Sequence, residues 1–267
     1  MDLNLAGKTA LVTGGSAGIG LACAHMLVSE GVHVAIASRS VERLAGAAEA
    51  LSGTARERGG TPPEIVTIAA DLAKPEDVDR VAREAVAALG QIDILINNAG
   101  SAMGGRFLDL PDSAFLNAWT LKLLGYIRMT RAILPEMIAR RDGRIVNIVG
   151  GAARNPTPAF LTGSTGNAAI INFTRGLSKE LAAHNVRINA ISPGVTQTER
   201  GDRLLEAEVT EGRTLEQARE ARLKRVPMAK ITQPEEIAAM AALIVSDRMC
   251  TMTGAEVIVD GGAMPTI

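Results

Sequence analysis

"TALVTGGSAGIGLACAHMLVSE", residues 9–30, is the stretch on which the fold turns. It opens as a short apolar strand and closes as a helix, with glycines at positions 14, 15, 18 and 20 filling the turn between them. Such a turn lets backbone approach a pyrophosphate closely and lets the helix pack tightly on the strand, while the helix N-terminus aims N–H groups at phosphate oxygens. A glycine-rich turn is weak evidence by itself; its place between a strand and a helix gives it force. The residues it sets against a dinucleotide are Gly14, Ser16, Gly18, Ile19 and Gly20.

The same rhythm continues outward from this turn. Short, almost continuous apolar runs at 9–14, 33–38, 64–71, 92–98, 144–150, 187–192 and 255–260 read as strands buried on both faces, as in a parallel sheet. Helix-period segments at 17–30, 41–58, 75–89, 112–139, 161–184 and 234–247 separate them. Pro75 and Pro234 stand at helix starts, and Asp71 precedes the first of these as a cap. This alternation predicts an α/β fold: one doubly wound parallel sheet of about seven strands between two helical layers. No linker or repeat divides residues 1–267, which are therefore expected to form a single domain. Residues 197–226 are densely charged and break the rhythm. They read either as solvated helices or as a lid over a substrate cleft, because insertions after a strand's carboxyl end lie where such sheets bind ligands.

About twenty residues beyond the glycine turn, the second strand ends in Ser38 and Arg39, where a dinucleotide fold reads the adenosine ribose. With no carboxylate to accept from a ribose hydroxyl, and an arginine fork suited to phosphate, this position favours NADP(H) over NAD(H).

Composition excludes other classes. A formal charge of -1 and a pI near 6.3 give no field for nucleic acid. Aromatic residues make up only 2% of the chain, too few for a base-stacking platform. Cys23 and Cys250 lie too far apart to suggest a disulfide framework, and His25, His33 and His184 are scattered, so no metal site is expected. The N-terminus lacks a signal-peptide pattern and no apolar run is long enough to span a membrane. A soluble, cytoplasmic chain acting on a small molecule is the expectation.

Taken in order, Thr13-Gly14-x-x-x-Gly18-Ile19-Gly20, Asp71-Leu72, Asn97-Asn98-Ala99-Gly100, "RIVNI", "VRINAISPG", "QPEEIA" and "TGAEVIVDGG" resemble the short-chain dehydrogenase/reductase family along almost the whole length. The resemblance implies a Rossmann-type three-layer αβα domain with a seven-stranded sheet, a nicotinamide cofactor, and homodimers or homotetramers built on the long helices. It adds Asp71, Leu72, Asn98, Ala99, Gly100, Asn167, Pro193, Gly194, Val195 and Thr196 to the cofactor-binding set.

That family works with an Asn, a Ser, a Tyr and a Lys. The Tyr hydroxyl is acid or base at the substrate oxygen, the Lys lowers its pKa and holds the nicotinamide ribose, the Ser binds the oxygen and the Asn supports a proton relay. In this sequence those positions carry Lys122, Gly150, Gly163 and Asn167. Tyr126, the single tyrosine of the chain, lies upstream of the fifth strand and cannot be moved into register. A missing general acid is worth roughly 10²- to 10⁴-fold, about 3 to 5.5 kcal/mol.

Replacement chemistry centres on Lys122, Asn167 and Ser164. Lys122 either reaches into the vacated volume, where burial would lower its pKa, with Tyr126 sharing its helix face, or it extends to solvent with Tyr126 in an oligomer contact. Asn167 offers uncharged hydrogen bonds to a ribose. Thr162, Ser164 and Thr165 read as helix caps, and the small residues around Gly163 predict open space for a bulky substrate or water. An NAD(P)-dependent oxidoreductase of carbonyls or alcohols with an altered site is expected; the alternatives are a non-catalytic NADP(H)-binding sensor or partner subunit, or a non-redox enzyme on the same fold.

Overall fold

The computed structural model describes residues 1–58, 60–199, 201, 202, 205, 206 and 214–264. Seven parallel strands form one sheet: β1 (Thr9–Thr13), β2 (His33–Ser38), β3 (Ile65–Ala69), β4 (Ile94–Asn97), β5 (Gly143–Ile148), β6 (Val186–Pro193) and β7 (Glu256–Val259). Their order is β3-β2-β1-β4-β5-β6-β7, so the chain winds one way from β1 and the other way from β4. The strands alternate with α1 (Gly18–Ser29), α2 (Val41–Arg58), α3 (Pro75–Leu89), α4 (Asp112–Trp119), α5 (Gly125–Arg140), α6 (Leu161–Leu181) and, after β6, α7 (Leu215–Leu223) and α8 (Pro234–Val245).

Both faces of the sheet are covered, which is why its strands read as continuous apolar runs. Ala10, Val12, Val34 and Ile36 pack with Leu27, Leu44 and Ile237 from α1, α2 and α8. The intervening Leu11, Ala35 and Leu95 pack with Val78, Met129 and Ile133 from α3 and α5 on the other side. The period of two along each strand therefore distributes its side chains between two cores. Each Leu, Ile or Val so buried contributes roughly 1.5–3 kcal/mol.

The expected strands all form, most of them trimmed by one or two residues at their ends. Asp71 does not cap α3: Lys74 is the N-cap, Pro75 opens the first turn, and the Asp77 carboxylate reaches back to accept from Asp71 N at 2.8 Å. At α8 the Glu236 carboxylate accepts from Gln233 N at 2.7 Å, just ahead of Pro234.

Two helices depart from the expectation. The segment read as continuous over 112–139 contains a π turn, Thr120–Leu124, between α4 and α5. Sequence periodicity does not reveal such a turn, since it adds a residue without changing composition. The segment read over 161–184 ends as α-helix at Leu181 and continues as a 3₁₀ turn, Ala182–His184. Among the described residues no helix is long and apolar enough to cross a membrane.

Of the charged stretch 197–226, α7 is a helix opened by Thr214, whose hydroxyl accepts from Gln217 N at 3.2 Å while Gln217 Oε1 accepts from Thr214 N at 3.0 Å. Residues 200, 203, 204 and 207–213 of that stretch lie outside the described residues.

Candidate active site

The winding direction reverses between β1 and β4, and the crevice outside their carboxyl ends is where an open α/β sheet takes its ligand. Two loops meet there. Asn98, just past β4, donates through Nδ2 to Thr13 O at 3.1 Å and Gly14 O at 3.2 Å, and its backbone N–H donates to Thr13 Oγ1 at 2.9 Å. Ala99 N also donates to Thr13 Oγ1, at 3.2 Å. These bonds pin the glycine turn to β4.

Gly14 holds a left-handed φ of +66°, and a Cβ on Gly20 would run into Gly14 O and Asn98 Nδ2. The turn thus has the backbone shape that only glycine tolerates, with α1 beginning at Gly18 behind it. It forms a glycine-rich cradle at a helix N-terminus, which fits a dinucleotide's phosphates. Ser16 Oγ donates to Ser38 Oγ at 2.7 Å, tying the cradle to the end of β2. Beside it Arg39 is exposed and has no hydrogen bond or ion pair with the described residues.

Asp71 and Leu72 lie past the end of β3: the Asp71 carboxylate accepts from Ala73 N at 3.2 Å, and Leu72 is buried in the core. Pro193 ends β6, Gly194 N donates to Val259 O at 2.9 Å, and Thr196 Oγ1 donates to Gly194 O at 3.2 Å. This bend brings Val195 and Thr196 over the crevice.

The crevice itself is a cleft of about 260 Å³. Its described lining includes Ile19, Asn98, Lys122, Gly150, Thr196 and Arg222, and no carboxylate, imidazole, thiol or phenol. Lys122 projects into it from the π turn. Its ammonium donates to Asn167 Oδ1 at 2.8 Å and to Val149 O at 2.5 Å. A Cβ on Gly100 would lie 3.0 Å from Lys122 Cδ, so the glycine after β4 leaves room for the lysine stem.

Lys122 therefore turns inward, and its alternative course to solvent is corrected by these two bonds. Tyr126 is 1% exposed, donates its hydroxyl to Ile148 O at 2.9 Å, and packs with Val149 and Ile170. It is a core residue and not a surface for oligomer contact. The lysine ammonium lies 6.0 Å from its ring centroid, within cation–π range.

A model of the short chain dehydrogenase family matches residues 8–209. The chain belongs to the short-chain dehydrogenase family. Oxidoreductase UcpA of Escherichia coli strain K12 is 33% identical to this short-chain dehydrogenase, over 97% of the chain and 95% of its own length. The solved L-sorbose reductase of Gluconobacter frateurii, complexed with NADPH and L-sorbose, superposes with a TM-score of 0.92 at 30% identity over 100% of both chains. A NAD⁺-bound xylitol dehydrogenase superposes with a TM-score of 0.88 at 30% identity, over 97% of this chain and 100% of the other.

In this short-chain dehydrogenase the volume beside Gly163 is not open. A Cβ on Gly163 would overlap the Phe160 ring, so the space expected for water or a bulky substrate is filled from three residues upstream. Gly150 has φ +140°, and a Cβ there would lie 2.9 Å from Asn167 Nδ2. Thr162, Ser164 and Thr165 do not cap α6, whose N-cap is Phe160 without a side-chain bond. Thr162 Oγ1 donates to Met103 O at 2.6 Å, anchoring the loop after β4, while Ser164 and Thr165 donate back to Leu161 O at 3.3 and 2.8 Å. A hydroxyl turned onto its own helix serves backbone acceptors, and Ser164 is not among the described residues lining the cleft.

Residue types alone did not single out Phe160, Arg222 or the Val149 carbonyl. Two signals pointed near them: Gly163, since a glycine inside a helix often marks close approach of another group, and the charged stretch 197–226, which contains Arg222.

Proposed function

We propose that this short-chain dehydrogenase exchanges hydride between NADP(H) and a carbonyl or alcohol carbon of a small molecule, with Lys122 serving the substrate oxygen. The supporting observation is the Lys122 ammonium, set in the cleft against Asn167 Oδ1 at 2.8 Å. The lysine and the asparagine stand at positions that the family resemblance assigns to Asn and Lys respectively. The pair is thus exchanged between two helices, yet a positive charge still stands beside the residue on α6.

The Gly14–Gly20 turn would hold the cofactor's diphosphate, Asn98 to Gly100 and Pro193 to Thr196 would border its nicotinamide end, and Asn167, buried behind the described lining, would hold the Lys122 ammonium. When bound, the reduced cofactor supplies a hydride to the carbonyl carbon. Lys122 Nζ gives a proton to the carbonyl oxygen as the C=O π electrons move onto it, and the neutral amine regains a proton from water entering the cleft. Thr196 and Thr198 are too weakly acidic for this task, and Arg222 does not deprotonate. Lys122 is therefore the one acid among the described lining residues.

The preference for NADP(H) rests on exposed Arg39 at the end of β2, where no carboxylate competes for the ribose. The similar solved structures hold either NADPH or NAD⁺, so kinship alone does not choose. Leu116 and Leu124, 58% and 38% exposed along α4 and the π turn, favour a homodimer or homotetramer joined through that face.

The test is NADPH binding by fluorescence, together with NADPH oxidation in the presence of ketones and aldehydes. Wild-type protein should bind NADPH at least about ten-fold tighter than NADH, and Arg39→Ala should abolish that difference. Lys122→Met should lower turnover by roughly 10²- to 10⁴-fold. Lys122→Arg, which keeps charge but gives up no proton, should also be slow while retaining cofactor affinity. Absent NADPH binding, or unchanged turnover in Lys122→Met, overturns the reading.

A further inference from the structure

We propose that Arg222 receives a carboxylate of the substrate, so that this enzyme prefers oxo acids, or the matching hydroxy acids, over neutral carbonyl compounds. The inference rests on the cleft being the reducing site. Arg222 lies in the last turn of α7 and lines both the cleft and a larger adjoining cavity of about 840 Å³. It stands at the boundary between the two.

One donor of its guanidinium, Nη1, bonds Gly201 O at 3.0 Å, which fixes the side chain. The fork carries five N–H donors, and Arg222 forms no ion pair with any described residue. Two carboxylates lining the larger cavity are engaged elsewhere: Asp202 accepts from Gln197 Nε2 at 2.9 and 3.1 Å, and Glu220 pairs with Lys224 at 2.9 Å. Glu216, on the first turn of α7, also borders that cavity.

A partly buried guanidinium without a carboxylate partner among the described residues has lost hydration that an anion would restore. The cleft concentrates two cations, Lys122 and Arg222, and no described acid, in a chain whose formal charge is -1. A substrate with a carbonyl at Lys122 and a carboxylate at Arg222 satisfies both at once. The cofactor's diphosphate is the competing anion: Ile19 of the glycine turn lines the cleft together with Arg222, but no residue of that turn lines the larger cavity.

The experiment compares short oxo acids with their methyl esters as oxidants of NADPH, in wild type, Arg222→Gln and Arg222→Lys, with the NADPH dissociation constant measured for each. The acid should be favoured over its ester by roughly ten-fold or more in kcat/KM. Arg222→Gln should remove that advantage by raising the acid's KM about ten-fold more than the ester's, with a smaller change in the NADPH dissociation constant, and Arg222→Lys should keep part of it. Equal use of acid and ester by wild type overturns the proposal. So does an Arg222→Gln variant that weakens NADPH while leaving the acid-to-ester ratio intact, an outcome assigning Arg222 to the diphosphate. Should neither compound oxidise NADPH, the redox reading fails separately, and calorimetry of oxo-acid binding still decides the site: binding lost in Arg222→Gln supports it, and no binding to wild type overturns it.

Discussion

Gly163 and Phe160 share one volume at the start of α6, and their relation is sharp enough to test. A methyl group at 163 gains up to about 1 kcal/mol of helix propensity but meets the aromatic ring, where overpacking costs about 1–3 kcal/mol. Overlap with the ring is direct, so the second effect should win. Gly163→Ala is expected to lower the urea unfolding free energy by roughly 1–2 kcal/mol. In a Phe160→Ala background the same change should instead stabilise, because only the propensity gain remains. A stabilising Gly163→Ala in the wild-type background would contradict the packing. The sequence shows a glycine where the family resemblance expects tyrosine; that a phenylalanine stands in its place depends on the ring folding back along the chain.

At the scale of elements, the π turn Thr120–Leu124 and the helix α7 carry the two cations among the described residues of the cleft. The π turn was not legible, because its five residues, TLKLL, fit an α-helix as well as a wider one, and only the packing of α4 and α5 on their neighbours sets the extra residue. The capping box of α7, Thr214 with Gln217 three residues on, likewise emerged only in the structure. Removing it with Thr214→Ala should cost about 0.5–2 kcal/mol locally. Amide exchange over 215–223 should then quicken while the global unfolding midpoint stays close to that of wild type. An unchanged exchange pattern would mean that α7 is held by its contacts and not by its cap.

At the scale of the molecule, the helical layer of α1, α2 and α8 contains one histidine whose burial couples stability to pH. His25 on α1 shares a 2.7 Å hydrogen bond with Thr54 of α2, and its pKa is lowered from 6.5, first by burial and against the opposing effect of Glu235 on α8. Because the folded value lies below the unfolded one, the unfolded chain binds more protons between them. This contribution is therefore fully present above pH 6.5 and is lost as pH falls through the lowered folded value. His25→Gln should flatten the loss of stability between about pH 7 and 5, measured by urea unfolding, since the ordinary His pKa of about 6.5 falls in that interval; an identical slope would sink the assignment. Asp77, lowered by its hydrogen bonds from Arg80 and Asp71 N, acts in a separate window below the ordinary carboxylate range. The sequence by itself determined the seven-stranded doubly wound sheet, the glycine turn at its switch point and the kinship, because strand burial on both faces and a turn that excludes side chains are written locally, in hydrophobic runs and in glycines. Tertiary structure alone decided how the side chains of the cleft meet. Lys122 meets Val149 and Asn167 from 27 and 45 residues away, and Arg222 arrives from beyond β6, so their meeting depends on how helices pack across the sheet. Packing of that kind is a property of the assembled core and leaves no local pattern in the chain.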